Sequence, residues 1–342
     1  MFPAQTTQTE PEEFLRCGGL NQSSPADGKY PNADSKADAS LAGEVDRALW
    51  NDGILRALDY HSIEIHVKRG IVSLYGHVVS VTNSHKAEKA IKVVDGIVSI
   101  RNHLIADDTL VAEVAAALGT LECTYHCKFF TGVSHGVVLL SGSAPDAETR
   151  LLAERCAASN PNVRGVINSV QVLGSALVLL DQPFLQPSIG VEIFFLDGIS
   201  GRVRQVIINL DNRRVVAMTI QGRFVDLRQE LKSLNNAGAR PPERILVIPM
   251  QAVRHLTRSS GFLNIHISEI TGNMDFVAAH FITPQQEWKP PFPYCPGDVL
   301  FLVDQQHEEN QIALEFPVEG IAIKPNDEVL RDQLLSNDSL GG

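Results

Sequence analysis

Two glycine-bounded segments, GIVSLYG at residues 70–76 and GVVLLSG at residues 136–142, lie 66 residues apart in the chain. The correspondence continues without a gap in the sequence that follows, through the pairs Ala87 and Ala153, Ile97 and Val163, and Asn102 and Asn168. The matched positions are mainly glycines and aliphatic residues, which belong to turns and cores rather than to catalytic groups. The repeat therefore predicts two copies of one structural unit. By itself it predicts no reaction.

The composition limits the classes of protein to consider. A chain of 342 residues has room for two or three domains, and its net charge of −11 argues against a nucleic-acid partner. The first residues show neither the basic nor the apolar region of a signal peptide, and the apolar stretch at 170–180 is too short to span a membrane. Five cysteines without a C-x-x-C pair suit a reducing compartment. We therefore expect a cytoplasmic protein.

The hydrophobic pattern predicts the same order of elements in both units. Residues 1–40 are rich in polar residues, proline and glycine and are expected to be a disordered leader. In residues 41–107 helical spacing comes first, then a period-two hairpin that turns at Gly70, then a second helix and a third strand. Residues 108–173 repeat this pattern. Each unit is therefore predicted to be αββαβ.

The pattern changes after residue 183. Residues 183–268 contain several short apolar runs separated by turn signals, which predicts a small all-β barrel or sandwich. Residues 269–342 are expected to be an irregular tail, and within it lies the segment WKPPFPYCPG at 288–297. This aromatic and proline-rich segment could cover its own protein or be presented to a partner. We expect the first of these.

The repeated units resemble the BON domain. The resemblance rests on the glycine-bounded hairpin and on the third strand that ends in asparagine, and these residues are Gly70, Gly76 and Asn102 in the first unit and Gly136, Gly142 and Asn168 in the second. One difference is Asn162, where the family usually has glycine. The resemblance implies a phospholipid-binding or adaptor role. It brings no catalytic residues with it.

Residues 189–268 are similar to a PRC-barrel. The matching features are the turn at 197–201, the strands on either side of Asp211, and Pro249 at the end of a later strand. This resemblance implies an assembly module without a catalytic set. The fold class expected for the whole chain is therefore α+β, with two tandem BON-like units followed by a small PRC-barrel-like domain.

One face of the sheet in the first unit carries several polar and ionisable residues. By alternation along the strands, Glu64, His66, His77 and His103 point away from the helices. Such a set could bind a metal ion or a small ligand, or respond to pH. The alternative is a solvated sheet face on which histidine is merely tolerated. We expect the solvated face, and no firm metal site.

The equivalent face of the second unit is apolar. The residues that differ there are Phe130, Val137, Leu139 and Ile167. An exposed apolar face is a liability, so we expect these residues to form an interface that is covered by the first unit, by the barrel or by another subunit.

The remaining signals are weaker. Arg202, Arg204, Arg213 and Arg214 form a basic patch, which a solvated turn and strand explain better than an anion or RNA contact. Nucleophile elbows and phosphate-binding glycine motifs are absent from the sequence. We therefore predict a non-enzymatic interaction or scaffolding protein without a cofactor, which binds a protein partner or itself as a homo-oligomer. The alternatives are a peripheral phospholipid-binding protein and a binder of a small ligand or metal ion.

Overall fold

The structure is a computed structural model that describes residues 33–174, 183–224, 242–270 and 274–303. It is a mixed α+β protein with three parts, which are two BON-like units and a curled C-terminal sheet, as the sequence predicts. Among the described helices, none is both long and apolar enough to cross a membrane.

The first unit is a three-stranded sheet covered on one side by helices. Its central strand pairs antiparallel with the strand before it and parallel with the strand that follows the second long helix. Asp52 and Ser80 cap two of the helices through their side-chain oxygens. The elements are α1 (Ala33–Asn51), α2 (Gly53–Leu58), β1 (Ile63–Lys68), β2 (Ile71–Val78), α3 (Val81–Ile91) and β3 (Ser99–Ala106).

The second unit repeats this topology. Its central strand again has one antiparallel and one parallel neighbour, and Asp146 caps the second helix. The elements are α4 (Asp107–Tyr125), β4 (Lys128–Ser134), β5 (Val137–Ala144), α5 (Ala147–Ala158), β6 (Gly165–Asn168) and β7 (Gln171–Val172).

The two units are not in register over their whole length. The hairpins correspond at a spacing of 66 residues, from Gly70 to Gly136, but the buried residues of the first helices correspond at 69, from Leu41 to Leu110. Unit 1 accommodates the difference with α2 and a short 3-10 helix at Tyr60–Ser62 between its first helix and its hairpin. The ungapped repeat is therefore correct from the hairpin onward and wrong for the first helix.

The domain boundaries also differ from those expected. Helix α1 begins at Ala33, so residues 33–40 are helical rather than part of a disordered leader. The rest of the expected leader, residues 1–32, lies outside the described residues. Asp107 is the first residue of α4 and so belongs to unit 2 rather than to the end of unit 1.

The third part of the protein is a C-terminal sheet. Its strands are β8 (Glu192–Phe194), β9 (Ser200–Ile208), β10 (Val215–Gly222), β11 (Arg244–Pro249), β12 (Val253–Leu256), β13 (Ser260–Leu263), β14 (Phe281–Ile282) and β15 (Val299–Leu302). They run in the order β11-β10-β9-β8-β13-β12, and β15 joins the sheet by parallel pairing with β9.

This domain continues past the expected limit at residue 268, because β15 ends at Leu302. The rest of the expected tail, residues 304–342, lies outside the described residues.

The aromatic and proline-rich segment covers its own protein, as predicted. Tyr294 is buried in the core of the C-terminal sheet, and its hydroxyl donates a hydrogen bond to the carbonyl of Pro187 at 2.8 Å. Trp288 packs edge-on against Phe301, with ring centroids 4.8 Å apart. The segment therefore closes one side of the sheet.

The residues that carry the BON resemblance have the same structural roles in both units. Gly76 and Gly142 both have φ of 120°, and a Cβ atom there would overlap the carbonyl oxygen of Ser62, just before β1, or of Lys128, in β4. Asn102 donates to the carbonyl of Ser84 at 3.2 Å, and Asn168 donates in the same way to Arg150 at 3.0 Å. These asparagines tie the last strand of each unit to its second helix.

A glycine substitution pair tests the constraint at the hairpin. We expect Gly142→Ala to reduce the free energy of unfolding by roughly 2 kcal/mol or more, because it combines an unfavourable φ with a backbone overlap. Gly119→Ala is the matched control. Gly119 lies in α4 with open space around it, so alanine there should be neutral or stabilising by about 0.5–1 kcal/mol. Urea unfolding of both variants measures the difference, and equal stabilities would contradict this account of the hairpin.

Candidate interaction surfaces and the junction between the domains

The outer face of the unit 1 sheet is polar and partly solvated. His66 and Glu64 lie on β1 with 2.9 Å between the imidazole and the carboxylate, and this hydrogen bond raises the pKa of His66 above its usual value. Tyr75 on β2 stacks on His103 of β3 with ring centroids 4.9 Å apart and contacts the edge of the His66 ring. The face is therefore a ladder of aromatic and charged side chains across three strands.

His77 does not belong to this ladder, which corrects the sequence prediction. It has the expected strand parity but lies at the end of β2, where the rest of the protein covers it and leaves 1% of it exposed. Alternation predicts the direction in which a side chain points and not what lies above it. Within the described part of the chain, no group of three or more histidine, cysteine or acidic residues is placed to hold a metal ion.

The outer face of the unit 2 sheet is apolar, and the described residues leave much of it open. Phe130 is 59% exposed and Leu139 is 45% exposed, so of the three expected covers the described parts of unit 1 and of the barrel do not bury them, and another subunit stays a prediction. At one end of the face, Phe184 packs over Gly165, the strand partner of the half-buried Val137. The described contacts of the C-terminal domain with unit 2 include the β6 edge, where the N–H of Val166 donates to the carbonyl of Asn212 at 2.8 Å, and α5, where Arg155 pairs with Asp211 at 2.7 Å.

On the open part of this face, the projecting side chains of Phe130 and Leu139 lie beside an unfilled space above Gly132. Leu139 pairs with Gly132 across the hairpin and with Ile167 on the other side, while Phe130 lies diagonally from Leu139. A Cβ atom at Gly132 would meet only the Cβ of Leu139 at 3.9 Å, so the space above this glycine is not filled. The ammonium group of Lys128 lies 5.5 Å from the centre of the Phe130 ring. We call the surface formed by Phe130, Val137, Leu139 and Ile167 the unit 2 face.

A second exposed apolar surface lies on the first two helices. Trp50 lies near the end of α1, Ile54 and Leu58 lie on α2, and all three are exposed. The guanidinium of Arg56 on α2 lies 5.5 Å from the centre of the Trp50 ring. We call these three residues the apolar stripe. It was not anticipated from the sequence, and the helix interruption at Asp52 means that their spacing does not define one helix face.

Both units bind the turn of their own hairpin with an aspartate from the first helix. The carboxylate of Asp107 accepts hydrogen bonds from the backbone N–H groups of His135 and Gly136 at 2.6 and 2.9 Å. Asp38 does the same for Arg69 and Gly70 at 2.8 and 3.1 Å. In each turn the two residues have positive φ, so their N–H groups point to one side and are available to one anion.

In unit 2 this turn is also where all three parts of the protein meet. The His77 ring of unit 1 rests on Gly136, where any Cβ atom would overlap the ring. The centre of the Phe292 ring, in the C-terminal domain, lies 6.3 Å from the centre of the His77 ring. Burial lowers the pKa of His77 to about 3, and the neighbouring Arg164 and His135 act in the same direction. Burial also raises the pKa of Asp107, against the two hydrogen bonds that stabilise its charge.

Arg164 links the second unit to the C-terminal domain. Its guanidinium donates to the carbonyl of His135 at 3.0 Å, to the carbonyl of Phe292 at 3.2 Å and to the side-chain oxygen of Gln186. It also lies over the faces of Phe184 and Phe292. Burial lowers the pKa of this guanidinium, and the nearby Asp107 partly offsets the effect.

Arg213 makes the second link and is 3% exposed, which contradicts the prediction that it belongs to a solvated turn. The turn between β9 and β10 docks on unit 2, where the Arg213 side chain donates to the carbonyl of Val163 at 2.6 Å. The same side chain donates to the carbonyl of Lys289, in the proline-rich segment, at 2.7 Å. Its guanidinium lies 4.9 Å from the centre of the Trp288 ring. Desolvation lowers the pKa of Arg213 to about 10. Arg202 and Arg204 lie exposed on β9, as expected.

Arg213 is the substitution that tests this docking. We expect Arg213→Ala to cost roughly 2–4 kcal/mol of unfolding free energy, since it removes the donor to the buried carbonyl of Val163 and to the partly buried carbonyl of Lys289. Arg202→Ala, at an exposed position of the same sheet, should cost less than about 0.5 kcal/mol. Urea unfolding followed by tryptophan fluorescence compares the two variants. Similar midpoints for both would show that the buried arginine does not stabilise the domain contact.

Comparison with known proteins agrees with this architecture. The model of the BON domain family matches residues 37–108 and 132–174, which is less than half of the chain. No curated protein matches the chain. The matched residues end before the C-terminal sheet, so its PRC-barrel likeness stays a prediction.

Two similar solved structures are of CdsD, a structural protein of the type III secretion system of Chlamydia trachomatis. The first, of its C-terminal domain, has 15% identity and a TM-score of 0.34, and the match covers 40% of this chain and 67% of that chain. The second also has 15% identity and a TM-score of 0.34, covering 44% and 70%. Likeness at this level supports no conclusion about function. The family match and the topology together identify two BON-like units, since the match covers residues 37–108 of the first αββαβ repeat and residues 132–174 of the second.

Proposed function

We propose that this protein is a non-enzymatic scaffold that assembles through the unit 2 face, with a second copy of the chain as the partner. The observation that carries the proposal is the exposure of Phe130 and Leu139 on a regular sheet. Exposed apolar side chains that share one face are a feature of protein–protein contacts. The positions of unit 1 that correspond to Phe130, Leu139 and Ile167 are the polar residues Glu64, Ser73 and Arg101, so the apolar character there is not required by the fold.

A second copy is favoured because the unit 2 face complements itself. The Phe130 side chain and the space above Gly132 lie two residues apart on the same edge strand. A two-fold axis through this face would place the Phe130 ring of each copy over the Gly132 of the other. Such an isologous contact closes after two copies, because the same face is used by both.

The ionisable groups at the junction support a structural role. Asp107, Arg164 and Arg213 direct their hydrogen bonds to backbone groups of other segments. Such groups hold segments together. The C-terminal sheet then serves as the assembly module that the PRC-barrel resemblance implies, because its β9–β10 turn docks on unit 2. We propose a cytoplasmic setting for the scaffold.

A second candidate function is binding to a phospholipid surface. The apolar stripe of Trp50, Ile54 and Leu58 favours it, because these side chains are exposed on the outside of unit 1. Tryptophan and aliphatic side chains of this kind can enter the interfacial region of a bilayer. The net charge of −11 opposes electrostatic attraction to anionic lipid. Insertion of the stripe would therefore have to supply the binding energy.

Analytical ultracentrifugation over a range of concentrations tests self-association. We expect the wild-type protein to dimerise and Phe130→Glu to weaken dimerisation by at least about 100-fold, since it would bury a charge at the centre of the contact. Val93→Glu is the matched control, because Val93 is more exposed but lies after α3 in unit 1. A wild-type protein that is monomeric at all concentrations would overturn the proposal, as would Phe130→Glu dimerising like the control.

Vesicle flotation with Trp50→Ala tests the lipid candidate. If the stripe inserts, the wild-type protein floats with vesicles at physiological salt, and the variant should float at least about fivefold less. Phe262→Ala, which removes an exposed aromatic ring of the C-terminal sheet, serves as the control. A wild-type protein that stays at the bottom with both neutral and anionic vesicles would rule this candidate out.

A further inference from the structure

We propose that the contact of His77 with the β4–β5 turn is an acid-sensitive latch, which opens the junction between unit 1, unit 2 and the C-terminal domain when the imidazole is protonated. The proposal goes beyond the scaffold function because it assigns a way in which the relative position of the parts is controlled. It does not depend on the unit 2 face.

The first observation is that His77 is enclosed without a partner. The side chain is 1% exposed, and its Nδ1 atom has no hydrogen-bond partner among the described residues. The ring fills the space above Gly136, so it forms part of the contact surface between the two units. A neutral ring fits this environment because it fills the space between Gly136 and Phe292 without introducing a charge. A protonated ring would place an unsolvated charge in it.

The second observation is the set of charged groups around the ring. Arg164, which follows α5, and His135, in the β4–β5 turn, both oppose a positive charge on His77. Phe292, from the proline-rich segment, is apolar and cannot stabilise it. The nearby anion is Asp107, whose carboxylate oxygen lies 4.0 Å from Nδ1. Two further groups affect the neighbours of His77: Asp59 of unit 1 raises the pKa of Asp107, and Tyr294 raises the pKa of Arg164.

Asp107 is the nearby carboxylate, but at 4.0 Å its oxygen lies beyond hydrogen-bond distance of the His77 ring. Its two oxygens accept the hydrogen bonds of His135 and Gly136. A shift of Asp107 toward the imidazolium would lengthen these two bonds, which hold the turn that His77 rests on. Either response to protonation therefore weakens the same contact.

The direction of the pH effect follows from linkage. The pKa of His77 is about 3 in the closed protein, and the ordinary value is 6.5. The open state therefore binds the proton more strongly, and the closed state is favoured above pH 6.5 and loses that advantage as the pH falls. His77 alone would raise the opening constant by roughly 50-fold between pH 6.5 and pH 4.5. The raised pKa of Asp107 acts in the opposite sense and makes the net change smaller.

Hydrogen exchange on the full-length protein tests the latch. The measured quantity is the protection factor of the Gly136 amide, which donates to Asp107, corrected for the intrinsic pH dependence of exchange. Between pH 6.5 and pH 4.5 we expect this factor to fall at least about tenfold in the wild-type protein. It should fall less than about threefold in His77→Gln, which cannot be protonated. His66→Gln, on the exposed face of the same sheet, should behave like the wild type.

Two results would overturn the latch. One is a wild-type protection factor that stays constant or rises in acid, and the other is an equal fall in His77→Gln. If His77→Gln does not fold, the imidazole of His77 can be followed by NMR in the wild-type protein. The latch requires this ring to remain neutral at pH 5 in the closed state, and a protonated ring in an intact junction would refute it.

Discussion

The structure depends on an aspartate that binds the turn of a β-hairpin through two backbone N–H groups. Both turns use two consecutive residues with positive φ, a non-glycine residue followed by a glycine, which exposes their N–H groups together. A carboxylate from the first helix of the unit satisfies both donors and fixes the helix against the sheet. In unit 1 this interaction is local. In unit 2 the Asp107 turn also supports His77 and lies beside Arg164, so the contact among the three parts depends on it.

Two arginines extend this contact to the C-terminal domain. Arg164 and Arg213 leave water and donate to main-chain carbonyls, with aromatic rings against their guanidinium planes. Carbonyl acceptors do not neutralise a charge, so the net stabilisation is smaller than the number of hydrogen bonds implies. What the arrangement provides is geometry, since a guanidinium that donates to fixed carbonyls permits few relative orientations. In the proposed scaffold, the unit 2 face and the apolar stripe would therefore keep a constant spatial relation.

Much of the fold could be predicted from the sequence because its signals are local. Glycines with positive φ, period-two hairpins and caps such as Ser80 act within a few residues, and the internal repeat confirms each signal by a second occurrence. The register of the first helix could not be predicted, because the extra turn of α2 has no counterpart in the second unit.

The predictions about burial failed where distant segments meet. The sequence predicted that His77 and Arg213 face solvent. Strand alternation for His77 and turn composition for Arg213 describe only the element in which each residue lies. Their burial results from docking of residues far away in the chain, such as Phe292 and Val163. Phe130 shows the opposite case. Its apolar position predicted a cover by the first unit, the barrel or another subunit, and the described residues leave the ring 59% exposed, so a cover by another subunit stays a prediction. The repeat could not reveal these contacts, because each occurs in one unit alone.

A rigid junction would join the three parts into one body that presents its surfaces in a fixed relation. Measurement of ¹⁵N relaxation for backbone amides in all three parts shows whether they tumble together. We expect one common rotational diffusion tensor for unit 1, unit 2 and the C-terminal sheet at neutral pH. Separate and faster tumbling of unit 1 or of the C-terminal sheet would contradict it.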